Sequence, residues 1–123
     1  MADEVYYDKK EQLSIVRDSL LPDETVFAVY DGKDVGSGFI GLTDRRVILQ
    51  DNSFVGGKVA VTSIPYGRIT AVSYASDASV FGRFTEETTV AIHTSHGTYE
   101  ILLRGADKAK HTHDVILHYV VHN

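Results

Sequence analysis

Phe39-Ile40-Gly41-Leu42-Thr43-Asp44-Arg45-Arg46-Val47-Ile48-Leu49-Gln50-Asp51 sets two short apolar runs on either side of a polar pair. Runs of this length, rich in β-branched residues and broken by turn formers, predict a hairpin with strands over 39–43 and 46–50. The same period-two texture continues in both directions. Upstream, residues 25–30 alternate Val26 and Ala28 against Phe27 and Val29, followed by a turn over 31–34 and a glycine-punctuated stretch over 35–38. Downstream, Asp51-Asn52-Ser53 turns the chain, and Val55-Gly56-Gly57-Lys58 leads into a strand over 59–64. Pro65 ends that strand, since it has no N–H to give the ladder. A further strand is predicted over 69–74, then an exposed loop over 76–84. Residues 88–94 and 98–104 form the clearest hairpin, because Gly97 at its tip can take the positive φ of a tight turn.

Outside this block the period lengthens. Tyr6, Leu13 and Leu20 recur every seven residues with Val16 in the same stripe, which predicts a helix over 3–21 stopped by Pro22. After Gly105, residues Ala106, Ala109, Ile116, Leu117 and Val120 share one face of a second helix reaching His122, with Asp107 placed to cap its start. The expected order is one α+β domain over 1–123: a helix in 1–21, about seven strands in 25–104, and a helix over 106–122.

A chain of 123 residues with 43% hydrophobic and 24% charged side chains can bury about two-thirds of its unfolded surface. It has no apolar stretch of membrane-spanning length, and Met1-Ala2-Asp3-Glu4 does not open a secretory signal. It has no cysteine, which suits a reducing compartment, and a cytoplasmic location is the expectation. Twelve Lys and Arg against 17 Asp and Glu give a net charge of −5. That sign argues against a general electrostatic grip on nucleic acid or on anionic membrane lipid.

Helix, seven antiparallel strands and closing helix resemble the pleckstrin-homology (PH) plan, and three segments are similar to the short bacterial PH-like family. Gly41-Leu42-Thr43-Asp44-Arg45-Arg46 through Asp51 resembles its "Thr, polar, basic, Arg, hydrophobic run, Asp" hairpin. Ile64-Pro65-Tyr66-Gly67-Arg68-Ile69 resembles its "Ile-Pro-Tyr, two residues, Ile" signature, and Leu20-Leu21-Pro22-Asp23-Glu24 resembles the way its leading helix ends. The likeness runs from about Leu13 to Tyr119. It implies a seven-stranded barrel capped by the C-terminal helix, with an extra N-terminal helix, no assigned enzymatic activity, no cofactor, and assembly of identical subunits, in several members as closed rings. Arg46 suits bridging of neighbouring loops, and Pro65 with Tyr66 suits fixing a strand exit beside the helix. PH domains that bind phosphoinositides carry several basic residues around the first hairpin loop. Here Asp31-Gly32-Lys33-Asp34 sets one lysine against two aspartates.

The remaining side chains argue for binding rather than chemistry. His111, Asp114, His118 and His122 line one helix face at spacings open to a metal ion, but a solvated polar face gives the same pattern, and no metal is assigned. His113 is expected at the border of the apolar side. No serine stands in a nucleophile elbow, Ser95-His96 is an exposed tip, and Glu86-Glu87 point to opposite faces of a strand. The glycine-rich stretches lack phosphate-loop spacing. Phe81, Arg83 and Phe84 bring interface-type residues to the 76–84 loop, and Tyr6 and Tyr7 do so near the N-terminus. The function expected is a non-catalytic interaction module that self-associates, with those five residues in the contact. The alternative is a module for a peptide, a protein tail or a lipid headgroup, the last requiring Lys33, Arg45, Arg46, Lys58 and Arg68 to converge.

Overall fold

In the computed structural model, which describes residues 4–33, 38–51, 60–78 and 84–122, the elements follow in the order β1 (Tyr6–Tyr7), α1 (Lys10–Ser19), β2 (Val26–Asp31), β3 (Phe39–Thr43), β4 (Arg46–Asp51), β5 (Ala60–Pro65), a 3-10 turn (Tyr66–Arg68), β6 (Ile69–Ala78), β7 (Phe84–Thr94), β8 (Gly97–Leu103) and α2 (Ala106–Val121). They form two sheets, ordered β1-β2-β3-β4-β5 and β6-β7-β8. Every pairing is antiparallel except β1 on β2. The sheets meet where Gly32 faces Leu103 and the Lys33 N–H donates to the Leu102 carbonyl at 2.8 Å. At the other corner only the 3-10 turn joins them, and among the described residues no ladder pairs β5 with β6. The expected closed seven-stranded barrel is therefore an open pair of sheets with an eighth, very short strand.

Alternation along the strands builds two apolar layers. Ile40, Leu42, Val47, Leu49 and Ile64 point between the sheets, where they meet Val90, Ile92, Ile101 and Leu103 and are capped by Ala109 and Ile116 of α2. Val29, Phe39 and Ile48 point the other way and are covered by Leu13 and Val16 of α1. Each such side chain contributes roughly 1.5–3 kcal/mol by leaving water. Gly41 allows the second layer to close: a Cβ there would stand 3.0 Å from Val16 Cγ2. The N-terminal helix thus lies on the outer face of the first sheet.

The sequence expectations need four corrections. First, the helix predicted over 3–21 begins at Lys10, because Tyr6 and Tyr7 are extended beside Ala28 and Val29. Asp8 fixes that geometry: its N–H donates to the Val29 carbonyl, and its carboxylate accepts the Asp31 N–H at 2.9 Å and Lys108 at 2.6 Å. Second, a bulge between Val26 and Ala28 breaks the predicted alternation, so Val26 joins Val29 on the outer layer. Third, the 76–84 loop is shorter than expected, because β6 runs to Ala78 and β7 starts at Phe84, opposite it. Fourth, Leu117 is exposed and Thr112 takes a buried place on α2, while the N-cap Gly105 receives no side-chain cap from Asp107 or any other residue.

Candidate interaction surfaces

The charged residues of the first hairpin serve the frame. Leu21 to Glu24 form a tight turn with Pro22 at its second position and Asp23 at φ +65°, closed by Glu24 N–H to the Leu21 carbonyl at 3.0 Å. Glu24 is thereby turned inward. Its carboxylate accepts Arg46 Nε at 2.9 Å and Nη2 at 3.0 Å, the Thr43 hydroxyl at 2.7 Å and the Leu21 N–H at 2.8 Å. Arg46 also donates to Ser63 Oγ and the Ser19 carbonyl, so one guanidinium ties α1, β4 and β5 together. Burial would raise the Glu24 pKa, but the hydrogen bonds from Arg46, Leu21 and Thr43 outweigh it and hold the carboxyl below its ordinary value. Tyr66, buried, donates to the Thr43 carbonyl at 2.6 Å, and burial pushes its phenol well up.

A groove lies along one flank of α2. Its volume is about 400 Å³, and Glu4, Tyr6, Phe27, His111, Asp114, Val115, His118 and Tyr119 line it. Phe27 is the extra residue of the β2 bulge; its ring stacks on Tyr119 at 5.9 Å, and Tyr119 stacks on Tyr66 at 4.9 Å. Tyr6 meets His111 edge to face at 5.4 Å. The Tyr30 hydroxyl lies 2.6 Å from His111 Nδ1. Burial, then the Asp8 and Asp107 carboxylates, push Tyr30 up to about 12, so it stays protonated at neutral pH. A second cavity of about 270 Å³, lined by Tyr6, Tyr30, Asp107, Lys108 and His111, continues past the His111 ring.

The histidine face is thus only partly solvent. His118 packs on Tyr119 and His122, while His111 is wedged between two tyrosines. No cluster of three metal-ligating side chains occurs among the described residues. His113 sits at the border as expected, against Tyr74 at 5.0 Å. Asp114 is held below its ordinary pKa by hydrogen bonds from Lys110 and His113.

Another side of α2 exposes apolar residues: Leu117 (43% exposed) and Val121 (67%) follow His113 at helical spacing, beside the exposed Lys110–Asp114 pair, and Tyr74 of β6 packs on His113. Among the described residues β6 has a ladder partner on one side only, and so does β5, whose Val61 is exposed.

The structure separates the residues that the sequence singled out. Tyr6 is in the groove, while Tyr7 is exposed on β1. Phe81 and Arg83 lie outside the described residues, as does the side chain of Phe84. Of the five basic residues, Lys58 is outside the described residues, and Lys33 stands at the opposite end of β2 from Arg45 and Arg46. Arg46 is committed to Glu24, Arg45 reaches Asp44 at 3.8 Å, and Arg68 is exposed on the 3-10 turn. The residues that sequence reasoning missed are Phe27, Tyr30 and Tyr119. They lie 3 to 92 positions apart and read as ordinary core candidates. Ser95 Oγ is 3.0 Å from His96 Nδ1 at an exposed tip, where water reaches both. No helix among the described residues is long and apolar enough to cross a membrane.

Comparison with solved structures supports the architecture. A DUF1696-family protein with a pleckstrin-homology domain from Shewanella loihica PV-4 superposes with a TM-score of 0.63 at 15% identity, covering 98% of this chain and 99% of that one. The hSac2 domain of the human phosphoinositide phosphatase Sac2 superposes with a TM-score of 0.53 at 12% identity, covering 91% and 83%. At these identities the likeness is one of fold. No curated protein matches the sequence. The family model for the bacterial PH domain matches residues 20–116, the region holding the Glu24–Arg46 clamp, strands β2 to β8 and most of α2, and the chain belongs to that family.

Proposed function

We propose that this PH-like domain is a non-catalytic interaction module that associates with further copies of itself through the open side between β5 and β6. The observation that carries the reading is β6: ten residues of strand with one edge unpaired among the described residues, on the side of the molecule that also exposes Tyr74, Leu117 and Val121. An unpaired edge beside an apolar stripe offers backbone hydrogen bonds and a desolvating surface together. Pairing β6 with its own copy gives a two-fold dimer, whereas pairing it with β5 of the next subunit gives a head-to-tail contact that can close into a ring.

The test is native mass spectrometry over a concentration series, on the parent and on Leu117→Lys with Val121→Lys. Both side chains are exposed, so the variant keeps its fold, and lysines suit a helix C-terminus. A discrete multimer in the parent that falls to monomer in the variant is expected. A parent that is monomeric at every concentration, or a multimer indifferent to the substitutions, refutes the reading.

A further inference from the structure

We propose that the groove on the other flank of α2 is a receptor for an arginine side chain presented by an extended segment of a partner protein. The groove and the Leu117–Val121 stripe occupy different faces of the helix, so the proposal stands independently of self-association.

Charge complementarity identifies the occupant. Two carboxylates, Glu4 and Asp114, and two imidazoles line the groove, and no Lys or Arg among the described residues does so. Asp114 already accepts Lys110 at 2.6 Å on the solvent side, which leaves Glu4 as the carboxylate open to an incoming cation. Among the described residues the one Lys or Arg at the adjoining cavity, Lys108, is bound to Asp8. The whole chain carries −5, so its field draws basic segments and repels acidic ones.

The walls match a guanidinium in particular. The exposed Tyr6 and the mutually stacked Phe27 and Tyr119 line the groove with aromatic carbon, against which a planar cation packs while its N–H groups reach outward to carboxylate oxygens. Three of the wall residues are held before any ligand arrives. Tyr119 rests on the buried Tyr66, Phe27 is aimed by the bulge, and His111 is fixed through Tyr30. Preorganised walls lower the ordering cost of binding. A volume of about 400 Å³ accepts one long side chain with its flanking backbone.

The experiment is an amide chemical-shift titration of the full chain with acetyl-Gly-Arg-Gly-amide, repeated with citrulline in place of arginine. Citrulline keeps the shape and removes the charge. The arginine peptide should shift amides near residues 4–6, 27 and 111–119, with citrulline binding weaker by about fivefold or more. Glu4→Gln combined with Asp114→Asn should weaken the arginine peptide by a similar factor while leaving the spectrum of the free protein folded. Equal affinity for the two peptides, or shifts confined to other surfaces, overturns the proposal. So does an absence of shifts at saturating peptide, including the case in which anionic phosphatidylserine vesicles retain the protein instead.

Discussion

Replacing Arg46 by methionine tests the clamp that the first hairpin builds. The Glu24 side chain is fully buried and Arg46 is 16% exposed, so the variant leaves a carboxylate inside the protein with only the Leu21 N–H and the Thr43 hydroxyl. Removing one partner of a buried ion pair costs about 3–5 kcal/mol. Water can follow the partly exposed arginine, which places the expected loss at the lower end, about 3 kcal/mol. At about 3–5 °C per kcal/mol for a domain of this length, the melting temperature should fall by roughly 10–15 °C. The chain has no tryptophan, so far-ultraviolet circular dichroism in a urea series is the suitable readout. The effect of pH supplies a second arm. In the parent, Glu24 titrates below its ordinary 4.5, so its contribution is present above that pH and lost as the pH falls through the lower folded-state value. In Arg46→Met, burial is no longer offset and pushes the carboxyl up, so the penalty should shrink on acidification. Adding Glu24→Gln to Arg46→Met should recover part of the loss at neutral pH. A cost under about 1 kcal/mol, or a penalty that does not change with pH, would refute the view of Glu24 as a buried charge held by this arginine.

Three further outcomes are expected. Asp23→Gly should raise stability by about 0.5–1 kcal/mol in urea unfolding, because Asp23 holds φ +65° at a turn position that glycine takes without strain. Gly41→Ala should lower it by about 1–3 kcal/mol, since the new methyl meets Val16 at 3.0 Å, and trimming Val16 to alanine in the same chain should relieve part of that loss. Tyr30, raised to about 12, should ionise after the exposed tyrosines in an alkaline absorbance titration, and the more deeply buried Tyr66 later again. The stability Tyr30 contributes is complete below pH 10 and should be lost as the pH rises toward 12, and Tyr30→Phe should remove its share of the alkaline loss while leaving that of Tyr66.

The β3–β4 and β7–β8 hairpins were legible because their signals are local: two apolar runs with a turn former between them. The predicted strands over 39–43 and 46–50 differ from β3 and β4 by one residue, Asp51. The Arg46 bridge and the packing of Tyr66 beside the C-terminal helix follow from the same short motifs, and the structure shows both. The N-terminus was misread because Tyr6 falls in register with Leu13 and Leu20, and a two-residue strand has no period of its own. What holds Tyr6 extended is Asp8, bonded to Asp31 and Lys108, the latter 100 positions away. Phe27 reads as an ordinary strand residue until the bulge turns it. The groove gathers residues 4, 6, 27 and 111–119, so it exists only once the two ends of the fold have met.

That meeting has a practical side. Glu4 and His118 line one opening, so the first and last described elements finish beside each other. Any chain continuing outward from Glu4 or from the end of α2 sets out close to that doorway, so a bulky group attached there competes with what the groove receives. Joining the ends by a short linker and cutting the chain at the exposed Ser95–Gly97 tip would give a permuted protein in which that doorway has a fixed threshold and the fusion points have moved to a distant hairpin.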